Sequence, residues 1–75
     1  MTTDEWDRIL EAAIRESGKD VRVVSSGCSD RSNRCFATIE DPATGNLTDV
    51  GADHKDGAAK MQKSVVRQLL ADEST

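Results

Sequence analysis

The chain has 75 residues, a net charge of -4, 36% hydrophobic residues and 32% charged residues. This length leaves room for a single domain, residues 1–75, with a small core and a small net stability. The composition is that of a folded domain and not of a disordered chain. The negative charge disfavours a broad electrostatic grip on nucleic acid or on an anionic membrane, because both would repel the protein at long range.

The sequence contains no transmembrane stretch and no export signal. No segment approaches the roughly 20 apolar residues needed to span a bilayer, and the N-terminus lacks the basic and apolar regions of a leader. We therefore expect a cytoplasmic protein in which Cys28 and Cys35 are two thiols. The alternative is a disulfide, if the two residues face each other across a hairpin.

The first predicted helix begins at a cap provided by Thr2 or Thr3. Asp4 and Glu5 follow, and their negative charges favour the first turn of a helix. One apolar stripe then recurs at helical spacing, and it contains Trp6, Ile9, Leu10, Ala13 and Ile14. Ser17 and Gly18 end the helix, and Gly18 can adopt the left-handed cap.

Three short segments after this helix have the pattern of strands. Residues 20–25 are rich in β-branched side chains, and Ser26 and Gly27 interrupt them. The polar residues 28–34 predict a hairpin loop, and residues 35–40 a second strand with Cys35, Ala37 and Ile39 on its core face. A turn at residues 41–46 leads to a third strand at residues 47–50.

The last segment returns to helical periodicity. From Asp53 or Asp56 to about Asp72, the spacing predicts a helix with an apolar stripe of Met61, Val65, Val66, Leu69 and Leu70. Two helices with one apolar stripe each can bury those stripes against the apolar face of a sheet formed by these strands. The sequence predicts an α+β fold of order α-β-β-β-α, in which both helices pack on one face of a three-stranded antiparallel sheet.

This order of elements resembles the double-stranded-RNA-binding domain. The resemblance covers most of the chain and is carried by Gly51, Ala59 and Lys60, which match the glycine and the Ala-Lys pair around the start of that family's second helix. Asp56 and Gly57 stand where the family carries its phosphate-gripping lysines. The resemblance thus implies the fold.

The chain is also similar to the HicA-type toxin ribonucleases. The similarity lies in residues 63–69, Lys-Ser-Val-Val-Arg-Gln-Leu, and in His54 after the third strand. The Gly-Ser-His signature of these toxins is replaced by Gly27-Cys28-Ser29, which lacks the imidazole that transfers a proton in RNA cleavage. This resemblance too implies the fold and not the ribonuclease activity.

No complete catalytic or metal-binding pattern occurs in the sequence. His54 is the only imidazole, and Asp49, Asp53 and Asp56 near it are typical of helix caps. A zinc site would need four ligands, and Cys28, Cys35 and His54 have no Cys-x-x-Cys core to start from. We predict no enzyme activity, no cofactor and no metal.

Two features indicate contact surfaces. Lys60, Lys63 and Arg67 recur at i, i+3 and i+7 and form a basic row on the second helix, which Lys55, Arg31 and Arg34 could extend. A solvated face that balances nearby carboxylates is the simpler interpretation of this row. Phe36 is predicted to point away from the helices, on a sheet face shared with Arg22, Val24 and Thr38, where it could anchor a protein interface or stack on a base.

From these features we predict a small regulatory or inhibitory binding protein of bacterial or phage type. Its partner is expected to be a basic, nucleic-acid-processing protein, as for an anti-defence inhibitor of the anti-CRISPR kind, because acidic surfaces can occupy sites meant for phosphates. The alternative is an RNA-binding module that uses Lys55, Lys60, Lys63 and Arg67. Self-association through the sheet face is a further possibility, and no membrane contact is predicted.

Overall fold

The computed structural model describes residues 2–29 and 31–71 and has the predicted α-β-β-β-α order. The elements are α1 (Thr3–Ser17), β1 (Arg22–Ser29), β2 (Arg34–Glu40), β3 (Leu47–Asp53) and α2 (Ala58–Ala71). The strands form one antiparallel sheet in the order β1-β2-β3. The α+β fold class predicted from the sequence is confirmed.

α1 begins and ends where its sequence predicts. The Thr2 hydroxyl accepts a hydrogen bond from the Glu5 backbone N–H at 3.2 Å, and this bond satisfies one of the free donors of the first turn. Gly18 ends the helix with a φ of 74°, a left-handed conformation that glycine adopts without steric cost. Neither α1 nor α2, the two α-helices of the described residues, is long and apolar enough to cross a membrane.

The core lies between the two helices and one face of the sheet. β2 and β3 bury alternate residues there, as the predicted core face of β2 requires, and both helices add their apolar stripes. Trp6 is the largest fully buried side chain. The buried set contains Trp6, Ile9, Leu10, Ala13, Cys35, Ala37, Ile39, Val50, Ala52, Met61, Val65 and Leu69.

β1 is longer than predicted. Ser26, Gly27 and Cys28 belong to the strand, so the predicted interruption is wrong, and the predicted hairpin loop is shorter than residues 28–34. Gly27 lies opposite Phe36 and Cys28 opposite Cys35 in the β1–β2 ladder. Pairing with β2 overrides the weak strand preference of Ser and Gly, which a local pattern cannot foresee.

β3 and α2 also have different bounds from those predicted. β3 continues past Val50 to Asp53, and α2 begins only at Ala58, after a short 3-10 helix at His54–Asp56. Asp53 caps this short helix by accepting from the Lys55 N–H at 2.9 Å. Gly57, with a φ of 87°, then redirects the chain into α2. The predicted helix end at about Asp72 lies outside the described residues.

A β-bulge changes which residues of β1 share a face. Val23 pairs with Ile39 and Ser25 pairs with Thr38, so Val24 is the extra residue. Val24 lines a depression together with Asp7 and Glu11 of α1. The regular alternation that predicted Val24 on the same sheet face as Phe36 is therefore interrupted at Val24.

Candidate functional surfaces

The sheet face opposite the helices, here called the open face, carries Phe36 at its centre. On β2, Arg34, Phe36, Thr38 and Glu40 alternate with the buried residues Cys35, Ala37 and Ile39. No element of the described residues covers this side, and the Phe36 side chain is 55% exposed. The predicted orientation of Phe36 is confirmed.

Phe36 lies between two glycines in the neighbouring strands. Gly27 of β1 and Gly51 of β3 are its cross-strand partners. The phenyl ring leans over Gly27, since a Cβ atom added there would lie 3.7 Å from the ring Cε2. On the other side the Arg34 guanidinium lies over Gly51, 3.5 Å from the corresponding Cβ position. Because the two glycines have no side chains, the surface beneath the Phe36 ring and the Arg34 guanidinium is flat, and both planar groups remain accessible.

The backbone of Phe36 is tied to the core through α1. The indole N–H of the fully buried Trp6 donates a hydrogen bond to the Phe36 carbonyl oxygen at 3.0 Å. A buried indole N–H needs such an acceptor, because leaving it unpaired costs free energy. The residue that presents its ring to solvent is therefore held rigidly from the opposite side of the sheet.

Other open-face side chains are partly engaged with one another. Arg22 Nε donates to Glu40 Oε1 at 2.6 Å, and the Thr38 hydroxyl donates to Asp49 Oδ1 at 2.9 Å. An exposed ion pair of this kind contributes little to stability. Arg22 therefore has a partner in the sheet, but this pair does not fix the position of its side chain. Leu47 adds a second exposed apolar side chain at the start of β3.

The basic row of α2, defined as Lys60, Lys63 and Arg67, lines one shallow depression. Asp56 and Ser64 complete its walls, and its volume is about 360 Å³. All three cations are exposed, and no ion pair within residues 2–29 and 31–71 involves them. The row is therefore available to an anion.

The remaining predicted binding residues do not join this row. Lys55 is exposed on the short helix before α2, Arg31 is exposed in the β1–β2 turn, and Arg34 lies on the open face. Arg22 is also on the sheet. Six of the eight candidate residues thus lie on the basic row or the open face, and Lys55 and Arg31 lie outside both.

The His54 side chain has no hydrogen-bond partner at Nε2 among the described residues. Its backbone N–H donates to the Asn33 carbonyl at 3.0 Å, while its side-chain Nε2 is buried without a hydrogen-bond partner. Asp53, beside it, caps the short helix. No group of three or more His, Cys, Asp or Glu residues suited to a metal ion occurs in the part of the chain that the structure describes.

Cys28 and Cys35 form a disulfide across the β1–β2 ladder. The expectation of two thiols is therefore wrong for this structure. Cys35 is fully buried, whereas Cys28, predicted to lie in an exposed loop, is half-buried in β1. The error follows from the bounds of β1, because only the longer strand brings Cys28 directly opposite Cys35.

Gln68 is a structural residue that the sequence pattern did not indicate. Its Oε1 accepts from the Gly51 N–H at 3.0 Å, and its Nε2 donates to the Gly51 carbonyl at 2.7 Å. Nε2 also donates to the Ser64 hydroxyl at 3.2 Å. Gln68 thereby pairs the outward backbone groups of Gly51 at the outer edge of β3. A single glutamine on a predicted helix has no local signal for this role.

Two surfaces therefore remain as candidates, the open face around Phe36 and the basic row of α2. Both are accessible, and they lie on different elements. No protein-family model, no curated protein and no solved structure matches this chain.

Proposed function

We propose that this chain is a small, acidic, non-enzymatic binding protein that regulates or inhibits a basic, nucleic-acid-processing protein. An inhibitor of a bacterial defence system, of phage or bacterial type, is an example of this class. The observation that carries the proposal is the accessible Phe36 ring on the uncovered open face, between two glycines and above a fixed backbone. Aromatic residues, Phe among them, are enriched at protein–protein interfaces relative to the rest of the surface.

The energetics of Phe36 favour docking. Burial of a Phe side chain stabilises by about 1.5–3 kcal/mol, and roughly half of this gain is still available because the ring is half-exposed. The backbone of Phe36 is already ordered by Trp6, so binding need not order it further. A partner with a complementary pocket would gain most from this one residue.

The charge of the chain favours a basic partner. The net charge of -4 attracts a positively charged surface at long range and raises the rate of association with it. On the open face Arg22 already pairs with Glu40, while among the described residues Asp49 accepts only from the neutral Thr38 hydroxyl. The carboxylate beside Phe36 can therefore accept a cation from the partner.

Replacement of Phe36 by alanine is expected to weaken this association by about tenfold or more. The partner is isolated by cross-linking in the source cell, and its affinity for the purified chain is measured by surface plasmon resonance at two salt concentrations. Added salt is expected to slow association, because it screens the attraction between opposite charges. Far-UV circular dichroism verifies that the variant is folded.

Leu70→Ala is the matched control, because Leu70 is an exposed apolar residue of α2 outside the open face. It is expected to bind as the original chain does. Equal affinities of Phe36→Ala and the original chain, or a partner without excess positive charge, would refute the proposal. Concentration-dependent dimerisation that Phe36→Ala abolishes would assign the open face to self-association instead.

A second candidate function is RNA binding through the basic row. The observation that favours it is that Lys60, Lys63 and Arg67 line one depression and form no ion pair within residues 2–29 and 31–71. Three clustered cations repel one another on a helix, and bound phosphates would relieve this repulsion. Lys55, on the preceding short helix and outside the depression, is the further cation that this alternative would use.

Removal of two charges, in the double variant Lys60→Gln and Lys63→Gln, is expected to abolish or strongly weaken duplex-RNA binding. The slope of log affinity against log salt should fall by about 2, or roughly one for each lost phosphate contact. A gel-shift titration with a short RNA duplex measures both quantities. Arg8→Gln, which removes an exposed cation from α1, is the control. No shifted band at low salt would exclude this function.

A further inference from the structure

The two edge strands of the sheet differ in whether side chains hydrogen-bond to their outward backbone groups. The outer edge of β3 is closed at Gly51 by the two hydrogen bonds from Gln68. β1 forms the other edge, and no side chain of the described residues makes a comparable bond to its outward backbone groups. An open edge strand can accept an extended segment of another chain.

The register identifies the outward groups of β1. The N–H and C=O groups of Gly51 point away from β2 to Gln68, so those of its partner Phe36 point towards Gly27. Residue pairs along an antiparallel ladder alternate between hydrogen-bonded and non-hydrogen-bonded pairs. Gly27 therefore directs its N–H and C=O groups towards β2, and its neighbours Ser26 and Cys28 direct theirs outward. The 4.0 Å Cα–Cα separation of Cys28 and Cys35 agrees with this assignment, because opposed residues that exchange no hydrogen bonds are the more closely spaced pairs.

A groove runs between this edge and α1. A depression of about 460 Å³ is lined by Asp7 and Glu11 of α1 and by residues 23–26 of β1. Its described lining contains two carboxylates and no Lys or Arg. Val23 and Val24 supply its apolar wall. The groove therefore offers backbone pairing, apolar contact and negative charge together.

Asp7 is held in position beside the edge. The Ser26 hydroxyl donates to Asp7 Oδ1 at 2.6 Å, which fixes this carboxylate next to the outward N–H of Ser26. Glu11 is exposed one helical turn further along α1. A cationic side chain that lies along the groove would meet both carboxylates.

We propose that the edge of β1 beside α1 binds an extended segment of a protein partner as a fourth strand. The segment carries Lys or Arg residues towards Asp7 and Glu11, and apolar residues towards Val23 and Val24. Its main chain pairs with Ser26 and Cys28, because these residues direct their backbone groups outward. The bulge at Val24 interrupts regular pairing, so the added strand pairs with β1 on the Ser26 side of the bulge. This inference rests on the proposed protein-docking function for the basic character of the partner, and it adds a second contact surface.

The probe is a capped heptapeptide of alternating lysine and valine, Lys-Val-Lys-Val-Lys-Val-Lys. The ¹⁵N-labelled chain is titrated with it, and amide chemical shifts and hydrogen-exchange rates are recorded. Binding is expected to shift the Ser26 and Cys28 amides and to slow their exchange, because both N–H groups become hydrogen-bonded. A peptide in which glutamate replaces lysine, and one with alternate N-methylated residues, are expected not to bind.

Two pairs of variants test the two parts of the groove. Ser26→Pro removes an outward N–H without removing a ladder bond and is expected to weaken binding about tenfold, whereas Ser26→Ala keeps the N–H. Glu11→Gln is expected to weaken binding by up to about fivefold, and Glu5→Gln, an exposed α1 residue outside the groove, not at all. Equal binding by Ser26→Pro and Ser26→Ala, or peptide shifts confined to α2, would overturn the proposal.

Phe36→Ala separates this inference from the proposed function. The peptide is expected still to shift the Ser26 and Cys28 amides of Phe36→Ala, because its main chain pairs with the β1 backbone and its lysines meet Asp7 and Glu11 on the α1 side of the sheet. If Phe36→Ala no longer binds the natural partner and the peptide does not bind at β1, the open face is supported as the docking site and the groove is rejected. Peptide binding at β1 without any effect of Phe36→Ala on the partner would support the groove and reject the open face.

Discussion

Replacement of Trp6 by alanine is expected to lower the free energy of unfolding by about 3–5 kcal/mol. Trp6 is fully buried, and its indole donates to the Phe36 carbonyl, so the variant leaves a cavity and removes this hydrogen bond. The stability of so short a chain is on the order of 5 kcal/mol, so the variant should keep only about 0–2 kcal/mol and should unfold at a much lower urea concentration. Urea denaturation followed by far-UV circular dichroism measures the loss.

Trp6→Phe is the control that separates the two contributions. It retains an aromatic ring but removes the indole N–H, and we expect a loss of about 1–2 kcal/mol with the fold preserved. Because the Phe36 backbone loses its fixed contact to α1, hydrogen exchange near Phe36 should also increase. Unchanged denaturation midpoints in both variants would contradict the role assigned to Trp6.

Reduction of the Cys28–Cys35 disulfide is expected to lower the free energy of unfolding by about 2.5 kcal/mol. The bond closes a loop of eight residues, since the sequence separation is 7, and it restricts the unfolded chain. The effect should be large because the core is small. Urea denaturation with and without a thiol reductant gives the difference.

The double variant Cys28→Ala and Cys35→Ala is the matched control for this measurement. It should be destabilised without reductant and should not respond when reductant is added. Equal midpoints for the original chain under both conditions would show that the bond does not form in solution. Disulfides are rare in a reducing cytosol, so the cytoplasmic location predicted from the sequence remains a prediction that the disulfide does not favour.

The candidate surfaces were partly predictable because they depend on local periodicity. Alternation along β2 placed Phe36 opposite the core face, and helical spacing placed Lys60, Lys63 and Arg67 in one row. No local sequence pattern predicted that two glycines would flank Phe36 or that a groove would lie beside β1. Both arise from residues far apart in sequence that the strand register brings together.

The sequence by itself determined the order of the elements, the bounds of α1 and the core face of β2. These features follow from side-chain period, capping and glycine conformation, which act over a few residues. The tertiary structure alone decided the length of β1, the bulge at Val24, the disulfide and the closing of β3 by Gln68. Each of these depends on which backbone groups meet across the sheet, and strand pairing is a non-local interaction whose outcome for Ser and Gly is set by the partner strand.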